Sequence, residues 1–167
     1  MDSDLTESAR RTAAAGTAAL THLWERLGLS PETPQVLSNR GSLMVRMPRA
    51  RLVARVSTHT GAQRQDPGWW LGTEVAVGRI AHAAGVPVVP PAQHVDPGPH
   101  EADGLWVSLW EDLGPQVTRA TPEESAAALA AWHGALADAG RDLPIMTVAH
   151  GVITEPLEYA VRHGFLS

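Results

Sequence analysis

An arginine inside a predicted strand is the first feature of this sequence that suggests chemistry. Arg55 lies in the β-forming stretch "LVARV", and Glu74 follows inside the helical stretch "WWLGTEVAVGRIAHAAG". An isolated buried cation costs several kcal/mol unless a partner compensates its charge. Arg55 therefore points to solvent, meets an acid, or faces an anionic ligand, and the residues alone leave these alternatives open.

The stretch "SNRGS" is a second candidate for ligand binding. It comprises Ser38, Asn39, Arg40, Gly41 and Ser42, and its glycine permits backbone amides to approach phosphate oxygens closely. A single glycine is a much weaker pattern than a GxGxxG or Walker sequence. An ordinary hairpin turn and a phosphate-binding turn are both compatible with these residues.

The composition excludes several classes of protein. With 167 residues, of which 44% are hydrophobic, the chain can bury the core of a domain of ordinary size. The absence of cysteine excludes disulfides and thiolate chemistry. The net charge is −5 and all 13 basic residues are arginine, which argues against a nucleic-acid interface. Because no apolar run is long enough to span a membrane and the N-terminus lacks an apolar signal core, we expect a cytoplasmic protein without membrane contact.

Helix caps and turn residues divide the chain into predicted elements. Gly28 and Gly140 follow two helical stretches as stops, while Asp66 with Pro67 and the capping box that Thr121 begins mark two helix starts. Runs of β-formers between polar turns predict strands. The predicted order is a helix over 5–27, strands over 35–38, 43–47 and 52–57, a helix over 67–84, strands in 86–95 and 105–113 joined by a turn-rich stretch, a helix over 121–140, and a short helical stretch near 155–163.

The tryptophans and histidines indicate structure rather than chemistry. Trp24, Trp106 and Trp132 lie on predicted apolar faces, so we expect them in the core. Adjacent Trp69 and Trp70 cannot both face inward from one helix, so one of them should be exposed. The histidines form no i, i+4 pair and have no supporting acid cluster, so no metal site is predicted.

The order of helix, three strands, helix, two strands and helix resembles the small, nucleotide-binding lobe of kinase-like phosphotransferases. Within them it resembles the aminoglycoside phosphotransferase family and its choline-kinase-like relatives. The stretches that carry the resemblance are "VLSNRGSLMVRM" for the phosphate-covering hairpin, "LVARV" for the third strand, "TEVAVGRIAHAAGVPVVPP" for the helix and the next strand, and "DGLWVSLWEDLG" for the fifth strand and hinge.

The resemblance implies an α+β fold with a protein-kinase-like small lobe. Its sheet would have about five antiparallel strands and a packed helix, preceded by an N-terminal helix and followed by helices of an incomplete large lobe. Residues 1–113 would form the nucleotide-binding lobe with its leading helix, and residues 114–167 the start of the large lobe.

Residue by residue, the resemblance also implies a site for ATP. Arg55 occupies the position of the third-strand basic residue that holds the α- and β-phosphates, and Glu74 that of the helix acid that orients it. Arginine replaces the family's lysine, and its planar fork can bind two phosphate oxygens. The hairpin at 38–42 would cover the phosphates. The hinge would offer backbone groups to the adenine, with Trp110 expected to pack rather than stack; its residues are Trp110, Glu111 and Asp112.

The catalytic loop of that family is absent from the sequence. Phosphoryl transfer there uses an HxDxxxxN loop, whose aspartate accepts the hydroxyl proton and whose asparagine holds magnesium, followed by a second metal-binding aspartate. Beyond the hinge the only aspartates are Asp112, Asp138 and Asp142, and the only asparagine of the chain is Asn39. No catalytic residue and no magnesium ligand is therefore assigned. The chain is expected to be inactive alone, and any binding of ATP should depend little on the metal.

Three functions remain compatible with these observations. In the first, the chain is the front part of an ATP-dependent phosphotransferase that acts on a small-molecule hydroxyl such as that of an aminoglycoside. In the second, it is a small-lobe-like domain that binds a nucleotide or a protein without catalysis. In the third, it is an α+β binding or regulatory domain of another kind. The family's acceptor site is built largely by its large lobe, so the resemblance leaves the acceptor open. An isolated lobe would expose the face that packs on its partner lobe, which predicts self-association through apolar surface.

Overall fold

Five strands and three helices make up the part of the chain that the computed structural model describes, which is residues 2–58, 66–115 and 118–137. The predicted α+β class is confirmed. By internal contacts the chain divides into two units, Met1–Leu136 and Ala137–Ser167, and all but the last residue of these elements belong to the first. The elements are α1 (Asp2–Arg26), β1 (Gln35–Arg40), β2 (Ser42–Met47), β3 (Leu52–Val56), α2 (Pro67–Ala83), β4 (His100–Ala102), β5 (Leu105–Glu111) and α3 (Pro122–Ala137).

All five strands pair antiparallel in one sheet with the order β1-β2-β3-β5-β4. β1 and β2 form a tight hairpin with Gly41 at its tip, where a φ of 79° lies in the left-handed region that favours glycine. β3 pairs with both β2 and β5, so that Arg55 lies between Met44 and Ser108. Because directly paired residues share a face of the sheet, this register assigns the side chains of β1–β3 to one face or the other.

The helix α1 packs on one face of the sheet and forms the core with it. Its buried residues recur at helical spacing and meet alternate residues of the strands. Trp24 is in this core, as predicted. The core includes Ala19, Leu20, Leu23 and Trp24 of α1 with Leu43, Val45, Met47, Leu52, Ala54, Val56, Ala102, Val107 and Leu109 of the strands, each no more than 3% exposed. Burial of each leucine or valine stabilises the fold by about 1.5–3 kcal/mol.

The helix α2 packs on the opposite face, which we call the α2 face. It begins as predicted, with Pro67 in the first turn and the Asp66 carboxylate accepting a hydrogen bond of 2.8 Å from the Trp69 N–H. Trp69 is 44% exposed and Trp70 is half-buried, which agrees with the prediction that only one of them faces inward.

Close packing of α2 on β5 depends on two glycines. A Cβ at Gly68 would lie 2.9 Å from the Trp106 ring, and a Cβ at Gly78 would lie 2.9 Å from the Trp110 ring. Residues alternate between faces along a strand, so β5 presents both indoles to α2 while Val107 and Leu109 enter the core. Trp106 is half-buried against α2 rather than part of the α1 core.

One predicted strand was wrong. The stretch 86–95 contains no strand; it runs beside β5 and pairs with it only in an isolated bridge between Pro91 and Trp110. Prolines lack the N–H that a ladder needs, and Pro90 and Pro91 are adjacent here. The fourth strand is instead β4, whose hairpin with β5 turns at Asp103 and Gly104, with φ of 50° and 75°. Asp-Gly is a strong signal for such a two-residue turn, and it lay within the stretch predicted as a linker.

The helix α3 begins as predicted, but its predicted apolar face is not buried. The Thr121 N–H donates to the Glu124 carboxylate at 2.7 Å, and the Glu124 N–H donates to the Thr121 hydroxyl at 3.2 Å, which is a complete capping box. None of its residues is buried, and Leu129 and Trp132 are 53% and 39% exposed. The prediction of a core position for Trp132 was therefore wrong. The short helical stretch predicted near 155–163 lies outside the described residues.

Within residues 2–58, 66–115 and 118–137, none of the helices combines the length and the apolar character needed to cross a membrane.

Candidate functional site

The Arg55 side chain forms an ion pair with Glu74 across the gap between β3 and α2. The Arg55 Nη1 donates to the Glu74 Oε2, and the two side chains are 29% and 27% exposed. The predicted pairing of these residues is confirmed. Because both side chains are partly shielded from water, their attraction is stronger than that of an exposed pair. The ion pair therefore restrains the orientation of both side chains.

A second neighbour fixes the other side of the same guanidinium. The Arg55 Nε donates to the Ser42 hydroxyl at 3.4 Å, and Ser42 is 8% exposed at the start of β2. An arginine carries five donor hydrogens in a planar fork. Ser42 and Glu74 engage two of them, which leaves further donors that can bind an anion on this face.

The side chains around Arg55 form a polar surface on the α2 face of β1–β3. Ser38 pairs with Met44 and Arg40 pairs with Ser42, so their side chains share the face of Arg55. The core face of β2 and β3 is apolar throughout, which makes the contrast between the two faces sharp. We call this polar patch the arginine surface; it consists of Ser38, Arg40, Ser42, Arg46 and Arg55.

Apolar residues lie beside the arginine surface. Met44 is the direct cross-strand neighbour of Arg55, and Val53 lies two residues before Arg55 on the same face of β3. Both are half-buried, so each leaves apolar atoms accessible. The α2 face of β2 and β3 thus interleaves cations and apolar residues, since Met44 pairs with Arg55 and Val53 pairs with Arg46.

Asn39 has a structural role instead of facing this site. It pairs with Leu43 and so belongs to the core face, where its Nδ2 donates to the Ala9 carbonyl at 2.9 Å. This contact ties the β1–β2 hairpin to α1. Of the predicted hairpin residues, Ser38, Arg40 and Ser42 share the face of Arg55, Gly41 forms the turn, and Asn39 does not face the site.

The predicted hinge residues are engaged in contacts within the chain. Trp110 packs against Gly78 and Pro91, and its Nε1 donates to the Ser108 hydroxyl at 2.9 Å, so packing is its observed role. The Glu111 N–H donates to the Pro90 carbonyl and the Asp112 N–H to the Arg51 carbonyl, at 3.0 and 2.9 Å. These two N–H groups are therefore not available to the edge of a bound base.

A second ion pair on the same face was not found from the sequence. The Arg46 Nε donates to the Asp112 Oδ2 at 2.6 Å, and the two side chains are 31% and 8% exposed. Burial raises the pKa of the Asp112 carboxyl, but hydrogen bonds from Arg46 and the Gly114 N–H, with the charges of Arg46 and Arg51, outweigh it and hold that pKa below 3.8. The two residues are 66 positions apart, and only the sheet register brings them together.

The magnesium ion that the resemblance implies does not fit this surface. Its carboxylates are already committed, since Glu74 pairs with Arg55 and Asp112 pairs with Arg46. Throughout the described residues, no group of three or more His, Cys, Asp or Glu side chains is arranged to hold a metal ion.

Comparisons with models of protein families, with characterised proteins and with solved structures find no match to this chain.

Proposed function

We propose that the described sheet and helices form a nucleotide-binding lobe of the kinase-like type. The observation that carries the proposal is the ion pair between Arg55 on the third strand and Glu74 on the helix that follows it. Protein kinases use a strand-to-helix ion pair of this kind to hold the nucleotide phosphates. The order of three strands, helix and two strands in a single antiparallel sheet supports the same proposal.

In this proposal Arg55 binds phosphate oxygens of ATP. The fork geometry of its guanidinium suits two oxygens of one phosphate. Glu74 orients the guanidinium and is a positioning residue. The Ser42 hydroxyl limits rotation from the other side.

The base would lie against Met44 and Val53, since they provide apolar surface beside the cations. Contact between a planar purine and these side chains favours binding because apolar area of both the base and the side chains is removed from water. With the N–H groups of Glu111 and Asp112 engaged, the proposal assigns recognition of the base to this apolar contact.

The reaction class follows from the resemblance. We propose that the chain belongs to an ATP-dependent phosphotransferase family whose acceptor is a small-molecule hydroxyl such as that of an aminoglycoside. The described residues supply the nucleotide half of such a site. In this proposal Arg55, held by Glu74, binds and orients the phosphates.

Calorimetric titration of the 167-residue protein with ATP tests this proposal. Arg55→Ala should weaken ATP binding by about 10- to 100-fold, since a charge-assisted hydrogen bond contributes about 1.5–3 kcal/mol. Glu74→Gln should weaken it less, because Arg55 remains but is no longer held by a charge. Arg79→Ala is the matched control: it removes an exposed arginine from α2 and should leave the affinity unchanged.

Circular dichroism of each variant checks that the fold is retained. If the parent protein does not bind ATP, or if the folded Arg55→Ala variant binds it as tightly as the parent does, the nucleotide-binding proposal is wrong.

A further inference from the structure

Arg40 is the one arginine of the arginine surface without a carboxylate partner among the described residues. It is exposed at the end of β1, and no ion pair joins it to any described side chain. Glu74 and Asp112 compensate the other two arginines. Counting the described residues alone, the arginine surface therefore carries one excess positive charge, although the net charge of the chain is −5.

The sheet register places Arg40 and Arg55 on either side of Ser42. Arg40 is the direct cross-strand partner of Ser42, and the Ser42 hydroxyl accepts a hydrogen bond from Arg55. With strands about 4.8 Å apart and a rise of about 3.4 Å per residue, the Cα atoms of the two arginines are about 12 Å apart. Two long side chains can close that separation onto a single elongated anion, with the serine hydroxyl between them.

We propose that Arg40 and Arg55 together bind the phosphates of a nucleoside di- or triphosphate in its metal-free form. This inference rests on the proposed nucleotide-binding function and specifies the ionic form of the ligand. Arg55 binds the phosphate nearer the nucleoside, and Arg40, at the hairpin tip, binds the outer phosphate. Ser42 positions Arg55 and lies beside the part of the phosphate chain that runs between the two arginines.

The charge balance of the surface gives the reason for a metal-free ligand. Divalent cations in nucleotide sites are held jointly by phosphate oxygens and protein carboxylates. Both carboxylates of this surface are bound by arginines, and Arg40 supplies positive charge at the place where a cation would otherwise offset the outer phosphates. Magnesium and the two guanidiniums would therefore compete for the same oxygens, so the ATP affinity should depend on magnesium, in place of the weak dependence expected from the sequence.

The experiment compares ATP, ADP and AMP by calorimetry at constant ionic strength, with a chelator or with excess magnesium. For the parent protein we expect affinity to fall in the order ATP, ADP, AMP in chelator, and magnesium to weaken ATP binding by about tenfold. Arg40→Ala should weaken ATP binding by about tenfold and change AMP binding by less than about twofold, because only the outer phosphate loses its partner. Ser42→Ala should weaken all three nucleotides, and Ser42→Thr should restore binding.

Arg79→Ala is again the control and should behave as the parent protein does. The inference is overturned if magnesium strengthens ATP binding, or if the folded Arg40→Ala variant keeps the parent's ratio of ATP to AMP affinity. These outcomes differ from failure of the nucleotide-binding proposal, in which the parent does not bind ATP or Arg55→Ala has no effect. A parent that binds ATP through Arg55 alone contradicts this inference and leaves the proposed function standing.

Discussion

Arg55 lies on a strand whose neighbouring residues on either side, Ala54 and Val56, are completely buried. Residues alternate along a strand, so Arg55 faces the opposite side of the sheet and meets Glu74 and Ser42 instead of the core. The cost of partial desolvation is offset by a carboxylate and a hydroxyl. This pairing explains how an arginine is accommodated in a central strand.

The Arg46–Asp112 pair gives a prediction at the same scale. Asp112→Asn should lower the free energy of unfolding by about 1–2 kcal/mol near neutral pH, because a partly buried arginine loses its charged partner. The pKa of Asp112 is lowered in the folded protein, so its contribution is complete above the unfolded-state pKa and is lost as the pH falls through the folded value. The difference between parent and variant should be constant above about pH 5 and shrink below pH 3.8.

Urea unfolding of both proteins over this range of pH measures the difference directly. The Asp96→Asn variant is a control, since Asp96 is an exposed aspartate that forms no ion pair with the described residues. A difference that grows as the pH falls below 4 would contradict the assigned direction of the pKa shift.

At the scale of elements, α2 is held close to the sheet by residues that lack side chains. The Gly78 Cα faces the Trp110 and Pro91 rings, both of which are rigid. Because Glu74 lies one turn before Gly78 on the same helix, the depth at which α2 packs also sets the reach of Glu74 toward Arg55. Packing of the helix and geometry of the ion pair are therefore coupled.

Gly78→Ala tests this packing. The new Cβ would lie 2.9 Å from Trp110 and 3.1 Å from Pro91, so the helix must move outward. Overpacking costs about 1–3 kcal/mol, which exceeds the gain of about 1 kcal/mol from replacing glycine in a helix. We expect a net loss of stability by thermal unfolding and weaker ATP binding.

Gly134→Ala in α3 is the matched control for this prediction. A Cβ at Gly134 meets nothing within 4 Å, so only the helix propensity changes. That variant should be as stable as the parent or more stable by up to about 1 kcal/mol. Equal effects of the two substitutions would mean that close approach of α2 to β5 is not needed.

At the scale of the whole molecule, the described residues include one sheet that lies between α1 and α2, and the two helices cover different parts of it. The helix α1 seals the apolar face, and α2 covers the β5 side of the other face through Trp106 and Trp110. The remaining part of that face carries the arginine surface. Among the described residues, α2 covers its face of the sheet only in part, and the proposed ligand would approach over β1–β3.

The 167-residue chain should bind ATP without transferring its phosphate. Its sequence contains no HxDxxxxN pattern, so the general base and the metal-binding residues of kinase-like phosphotransferases have no counterpart in it. ADP release measured with a panel of aminoglycosides should equal that of a protein-free blank. Acceptor-dependent ADP production that disappears in Arg55→Ala would show that other residues of this chain supply the catalytic groups.

Several elements could be predicted from the sequence because their signals are local. Asp66 with Pro67, the capping box that begins at Thr121, and Gly28 after α1 define helix ends through contacts with residues no more than a turn away. The alternation of β2 and β3 defines which of their residues are buried. The pairing of Arg55 with Glu74 was also predicted, but from the resemblance to kinase-like lobes and not from the residues alone.

Only the tertiary structure decided the remaining features, because they depend on which strands become neighbours. The Asp112 carboxylate reaches Arg46 because the register aligns Arg46, Val53 and Trp110 across three strands. Asn39 faces away from Ser38 and Arg40 because side chains alternate along a strand, and the bulge near Leu37 decides that Asn39 is the one on the core face. The fourth strand, by contrast, has local signals that the prediction missed, since an Asp-Gly turn favours a hairpin and two adjacent prolines disfavour a strand. Residue types thus determine local elements, whereas pairing across the sheet determines which side chains meet at the arginine surface.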